Sequence, residues 1–364
     1  MFSIINKYII ASISKGIVLS SSVFLALLVL IGFIQQMNAV GKGTYTIGGA
    51  LFYTLLNIPS SLYDTFPVSG VVGVMIGLGA LAASSELVII QTVGTSRLKV
   101  AWITTLTLVL WLIPLSIFGE YIVPPAKIMA ESYRSAKISK DVGIGVNTGV
   151  WIRDGNVIFN ATPVGNVYDT KNKNIVMNDV TVYELDDSLQ VAKVSKAEKA
   201  QHVGNNWLLS NIEVTEFIEA GVTTKILETQ SWPSRIEPEI LSITHSRPKH
   251  LSIRDIIKYK NFQTDKISTP IKYDIALWSK LTYPLLVIAI ALSGLPFIFG
   301  LVRSGGFGQR LLIGMMLGMI LYYLNRILLN MGEVFHVYPV FVTALPASII
   351  LLLVLLYLKK DKIS

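Results

Sequence analysis

Four imidazoles are available to this chain, at His202, His245, His250 and His336, and their spacings match no metal-binding pattern. There is no cysteine among the 364 residues, which excludes disulfides, thiolate catalysis and Cys-ligated metals. The string Gly41-Lys42-Gly43-Thr44 invites a phosphate-loop reading. That loop needs glycine at position 36, where Gln36 stands, and Ser or Thr after the lysine, where Gly43 stands. Serines and aspartates are frequent but form neither a nucleophile elbow nor a pair with histidine. The chain is expected to do no covalent chemistry and to bind no cofactor itself.

What remains is a set of charges in informative places. Glu86 stands near the start of a short amphipathic stretch, LAASSELVIIQTVGTSR (81–97), between two apolar runs. A helix too short to cross a bilayer lies in or beneath its interface. Ser84 and Ser85 precede Glu86, and Gly94 is placed to end such a helix. The spacing puts Leu87, Ile90 and Gln91 on one side at i, i+3 and i+4, a face suited to docking on a partner protein. An ordinary turn between spans is the simpler alternative, and capping is the simpler role for Glu86. Arg326 and Lys280 sit inside apolar runs. An ionisable residue in a span is a functional hypothesis by default, against the alternative that it snorkels or anchors.

Composition identifies the elements that must carry these charges. Hydrophobic residues make up 52% of the chain and charged ones only 15%, too few for a soluble domain. The net charge of +8 forms no stripe long enough to track nucleic acid. Apolar runs long enough to span fall at 16–34, 65–83, 100–123, 275–302, 311–329 and 340–358. The first lacks a small-residue cleavage site and reads as a retained helix. Lys7, Lys15, Arg97, Lys99, Arg303, Arg310, Lys359, Lys360 and Lys362 fall on one side, which puts both termini in the cytosol. The Lys42 loop is then extracytoplasmic, where no ATP is available. Small residues repeat every fourth position at Ser69, Gly73 and Gly77, and at Gly314 and Gly318, as close helix packing in lipid requires. Pro114 and Pro284 are expected to kink their helices.

Between 124 and 270 charges return and apolar runs shorten. WIRDGNVIF (151–159) reads as a hairpin, and β-rich runs follow at 175–185, 190–203, 206–217 and 222–232. Helical segments at 125–140 and 252–261 flank them. The expected fold is an α-helical membrane protein with six spans, three before and three after an inserted β-sandwich or jelly roll. The expected domains are 1–123, 124–270 and 271–364.

The strings GKGTYTIGGALFYTLLNIP (41–59), SSELVIIQTVGTSR (84–97), GEYIVPP (119–125), GVWIRDGN (149–156), ALWSKLTYPL (276–285) and FIFGLVRS (297–304) run in order over almost the whole chain. Together with the architecture, they resemble the LptF/LptG family of lipopolysaccharide export permeases; GKGTY and WIRDG favour the LptG branch. The resemblance implies a permease pair of LptF with LptG, an LptB ATPase dimer that uses ATP and Mg, and a periplasmic jellyroll bridge including LptC and LptA. It implies that lipopolysaccharide enters between the first span of one permease and the fifth of the other. It also places Glu86 on the acidic position of a coupling helix. Where the family tends to have basic side chains, this chain has Gly32, Asn38, Ala39 and Glu131, with Arg134 retained. Lys42, Arg134, Arg326 and Lys280 are therefore the candidates for lipopolysaccharide contact. A permease of the mechanotransmission type stays open as an alternative, although six spans exceed its usual four. A lipid-modifying enzyme would need an intramembrane carboxylate or histidine cluster that the chain lacks.

Overall fold

The computed structural model describes residues 4–138, 150–154, 156–164, 176–186, 188, 190–203, 206–218, 221–233, 247–263, 270–299 and 307–360. His245, Gly155 and Arg303 lie outside them. Among the described residues the α-helices are α1 (Ile4–Met37), α2 (Ile47–Leu56), α3 (Ile58–Ala83), α4 (Glu86–Thr92), α5 (Arg97–Tyr121), α6 (Val123–Ile138), α7 (Ile253–Gln263), α8 (Ile271–Leu292), α9 (Leu295–Phe299), α10 (Phe307–Val334) and α11 (Pro339–Lys360). Six are long and apolar enough to cross a membrane: α1, α3, α5, α8 with α9, α10 and α11. Three precede the sheet and three follow it. Contacts divide the chain into a unit of Met1–Gln35, Asn57–Val123 and Ile271–Ser364, and a second unit of Gln36–Leu56 with Pro124–Pro270.

The spanning unit is organised around α3, which has 78% of its apolar window buried against 11% for α1. Small residues explain how it holds two neighbours at once. A Cβ on Gly73 would stand 2.5 Å from Ile17 Cα, and one on Gly77 would stand 2.6 Å from Ile13 Cα, so α1 meets α3 backbone to backbone. Serine hydroxyls reinforce the seam: Ser20 Oγ donates to Ser69 O at 2.7 Å and Ser12 Oγ to Gly77 O at 2.9 Å. A second face of α3 presents Val71 and Met75 to Gly318 and Gly314 of α10. Both small-residue repeats read from the sequence thus lie at helix contacts.

Pro67, Pro114, Pro284 and Pro346 all fall inside helices. Pro67 has a specific consequence. It lacks the N–H that would donate to the carbonyl of Tyr63 one turn earlier. The Tyr283 hydroxyl of α8 donates to that oxygen at 2.6 Å, and the two tyrosine rings stack at 4.3 Å. Tyr322 of α10 donates to the next carbonyl, Asp64 O, at 2.8 Å. Three spans are therefore joined where α3 loses its own ladder.

In the second unit, six antiparallel strands pair in chain order: β1 (Val150–Asp154), β2 (Val157–Val164), β3 (Val176–Leu185), β4 (Val191–Val203), β5 (Asn206–Ile218) and β6 (Gly221–Pro233). Among the described residues this is one meander, without the Greek-key crossover of a jelly roll. The described sheet bends along a crease. Pairing passes from Asn178↔Lys199 to Val180↔Ala197, and from Lys199↔Ser210 to Ala197↔Ile212, in unchanged register and with the residues between left unpaired on this line. Asp179 and Asn211 on this line have φ of 51° and 52°. Buried positions accordingly step by three across it (177 to 180, 197 to 200, 209 to 212), where a regular strand steps by two. Each of the three strands leaves one residue out of the pairing here, so the register is kept while the same face returns to the core on both sides of the bend. Asn211 Nδ2 bridges the crease to Glu198 Oε2 at 2.7 Å.

Candidate functional site

The short helix α4 is built by its two ends. Ser85 adopts φ 61°, which turns the chain out of α3, and Gly94 at φ 95° reverses it after α4. Gly94 N–H donates to Gln91 O and Thr95 N–H to Ile90 O, the paired bonds of a Schellman ending. Glu86 is held at the start by two donors: Tyr8 Oη to Oε2 at 2.7 Å and Ser84 Oγ to Oε1 at 2.9 Å. The Tyr8 hydroxyl, then that of Ser84, hold the Glu86 carboxyl below its ordinary value, so it is ionised at neutral pH.

The packing of α4 revises the face expected to dock. Leu87 and Ile90 are buried, but the spanning unit's own core covers them. Gln91 stands half-exposed beside them. The outward face is Val88, Ile89 and Val93, which are 59%, 61% and 70% exposed. Both faces of α4 are apolar, so periodicity alone could not say which one the chain keeps for itself. At the same end of the bundle the Arg97 guanidinium lies 5.7 Å from the Phe299 ring centre.

The four cations expected to meet substrate divide between the two units. Lys280 and Arg326 belong to the spanning unit. Lys280 Nζ pairs with Glu120 Oε2 at 3.1 Å, with side chains only 11% and 23% exposed. This carboxylate, 160 residues away in sequence, gives the lysine a partner within the span. Arg326 is exposed and lies 5.8 Å from the centre of the Tyr322 ring. The hydropathy of this run ends near residue 329, but α10 continues to Val334 and stops only where His336 adopts φ 53°. Arg326 is therefore eight residues from the helix end, about 12 Å along the axis rather than the single turn that hydropathy implies.

Lys42 and Arg134 belong to the second unit. Arg134 Nε donates to Gln36 Oε1 at 3.1 Å, and its guanidinium lies 5.9 Å from the Tyr53 ring centre. Tyr45 Oη donates to the same Gln36 oxygen at 3.4 Å. Burial pushes the Tyr45 phenol up, and the nearby Arg134 charge partly offsets the shift. Glu131, standing where a basic residue was expected, accepts from Tyr53 at 3.1 Å and pairs with Lys127 at 3.5 Å. Lys42 is exposed in a turn closed by Gly41 and Gly43, both in the left-handed region. Thr44 N–H ties that turn to Lys137 O of α6 at 2.8 Å. Sequence spacing could not have found this cluster, because its members lie 9 to 98 residues apart.

A family match and two relatives cover nearly the whole chain. The chain is 28% identical over 365 residues to the lipopolysaccharide export system permease protein LptG of Haemophilus influenzae, covering 99% of this chain and 100% of that protein. It is 27% identical over 364 residues to the protein of the same name from Escherichia coli K12, covering 99% of each. From residue 7 to residue 360 it matches the family described as "Lipopolysaccharide export system permease LptF/LptG". With helices, sheet and matched residues extending together over nearly the whole chain, it belongs to the LptF/LptG family of lipopolysaccharide export permeases.

Proposed function

We propose that this chain is one permease of an ATP-driven exporter that extracts lipopolysaccharide from the outer leaflet of the inner membrane. It passes the lipid to a periplasmic bridge of β-domains. Its termini and α4 face the cytosol, and its sheet lies in the periplasm. A second permease of the LptF type completes the pathway, an LptB ATPase dimer supplies the energy, and LptC and LptA extend the bridge. Arg326, Lys42 and Arg134 contact the substrate's phosphates, with Lys280 held in reserve by Glu120. The observation that carries the reading is the structure of α4. Leu87 and Ile90 fix it to the spanning core, Glu86 is ionised at its start, and Val88, Ile89 and Val93 present an uncovered apolar face. A lever between a motor and the spans needs one face bonded to each.

The test uses the complete complex in proteoliposomes, with ATPase retention and lipopolysaccharide release as readouts. Val88→Asp with Ile89→Asp should strip the ATPase from the purified permease. Glu86→Gln should leave the ATPase bound and slow release. Full release by both variants would show that α4 transmits nothing. Unchanged crosslinking of lipopolysaccharide beside Arg326→Ala, Lys42→Ala and Arg134→Ala would place head-group recognition elsewhere.

A further inference from the structure

The helix α2 is built inside out. Its large apolar side chains, Ile47, Leu51, Phe52 and Leu55, are 38–57% exposed. Its buried side is made of Gly49, Ala50 and Thr54. On a helical projection the exposed four fall within one arc of about 140°. No charge occurs between Lys42 and Asp64, so no ionised group on this face or its flanks holds it in water. The inner side is fixed by α6: Tyr133 lies against Gly49, and Tyr53 bonds Glu131 at 3.1 Å. Twisting α2 to hide its apolar face would break these contacts.

The covalent chain limits where such a face can be. α2 is separated from the second span by Asn57 alone, and it follows the end of the first span by nine residues. At ten residues it is about 15 Å long, half the hydrocarbon thickness, so it cannot cross. It is tethered to the surface at which α1 ends and α3 begins. Tyr53 and Tyr45 lie near Arg134, and Tyr133 precedes it on α6; tyrosine and arginine together suit head-group depth.

We propose that α2 is a membrane-seated helix whose Ile47–Leu51–Phe52–Leu55 face lies among the lipid acyl chains, and that it sets the depth of the Lys42 turn and of Arg134 on α6 at the head groups. The occupant of this face is the bilayer itself, not a protein. This inference needs only that the six spans cross a membrane, so it stands or falls separately from the export reading.

The absence of cysteine makes the test direct. Single cysteines at Leu51, Leu55 and, as a sheet control, Lys196 would carry an environment-sensitive nitrobenzoxadiazole probe on the full chain. The chain would be reconstituted in phosphatidylethanolamine–phosphatidylglycerol vesicles. Bromine-labelled acyl chains should quench the probes at 51 and 55 at least about threefold more than the probe at 196, with iodide showing the reverse order. Iodide quenching at 51 and 55 equal to that at 196 would put the face in water and overturn the proposal. Protection from both quenchers would mean that protein covers it, which overturns the proposal as well. A probe at Lys42 gives a second measurement: in a Leu51→Ser, Leu55→Ser background it should shift toward iodide access. No shift would remove α2 as the element that sets depth.

Discussion

Replacing Tyr283 by Phe isolates one hydrogen bond and leaves almost everything else in place. The ring still stacks on Tyr63 at 4.3 Å, and the only loss is the hydroxyl that donates to Tyr63 O at 2.6 Å. That oxygen has no donor within its own helix, because the residue one turn later is Pro67. Leaving a buried carbonyl unsatisfied costs about 1–3 kcal/mol. Comparable cross-helix bonds in membranes average about 0.6 and reach about 1.7 kcal/mol. Since Tyr283 is buried and no helical N–H can substitute, the upper part of that range applies, about 1.5 kcal/mol. A double-mutant cycle provides the control. Pro67→Ala restores the missing N–H, so in that background Tyr283→Phe should cost less than about 0.5 kcal/mol. Reversible unfolding of the purified chain in mixed micelles would supply all four corners of the cycle. Equal costs of Tyr283→Phe with and without Pro67 would refute the reasoning, because the hydroxyl would then be stabilising something other than the opened carbonyl.

Gly73→Val should destabilise the fold by more than about 2 kcal/mol, since its Cβ would meet Ile17 Cα at 2.5 Å; thermal unfolding in detergent checks this. Lys280→Met alone should destabilise the fold by removing the 3.1 Å pair with Glu120, while Lys280→Met with Glu120→Leu should recover most of the loss in the same assay. The Glu86 carboxyl is depressed in the folded state, so its contribution is complete above its ordinary value of 4.5 and is lost as pH falls through the lower folded value. Mobility of a spin label on Ile89→Cys should therefore stay constant from neutrality to pH 4.5 and rise only below it. Tyr8→Phe should move that rise upward toward 4.5, because the strongest of the groups lowering the value is gone.

Much of the fold was legible because its signals are local. The β-rich runs at 206–217 and 222–232 became Asn206–Ile218 and Gly221–Pro233, since alternation and turn residues act within a few positions. The spans were equally readable from run length. The crease was not, because Asp179 and Asn211 look like ordinary turn residues until paired strands show them aligned. Helix α2 escaped notice because its apolar residues face outward and its small ones inward, so it has no polar face to reveal a helical period. At the candidate sites, sequence found the charges but not their partners. Glu86 is 78 residues from Tyr8 and Lys280 is 160 from Glu120, and nothing local at either end announces the other.

Those separations also bear on how the protein is made. The carbonyl opened by Pro67 receives its donor from Tyr283, 220 residues later, and the next carbonyl, served in the helix by Val68 N–H, gains a second donor from Tyr322, 258 residues later. At about 5–20 residues per second, a ribosome needs roughly 10–50 s to cover that distance. Throughout the interval the second span stands in the membrane with an acceptor that only water, a head group or the insertion machinery can occupy. The first three spans are thus an unfinished intermediate by construction. The arrival of the later spans supplies the donor that the second span lacks.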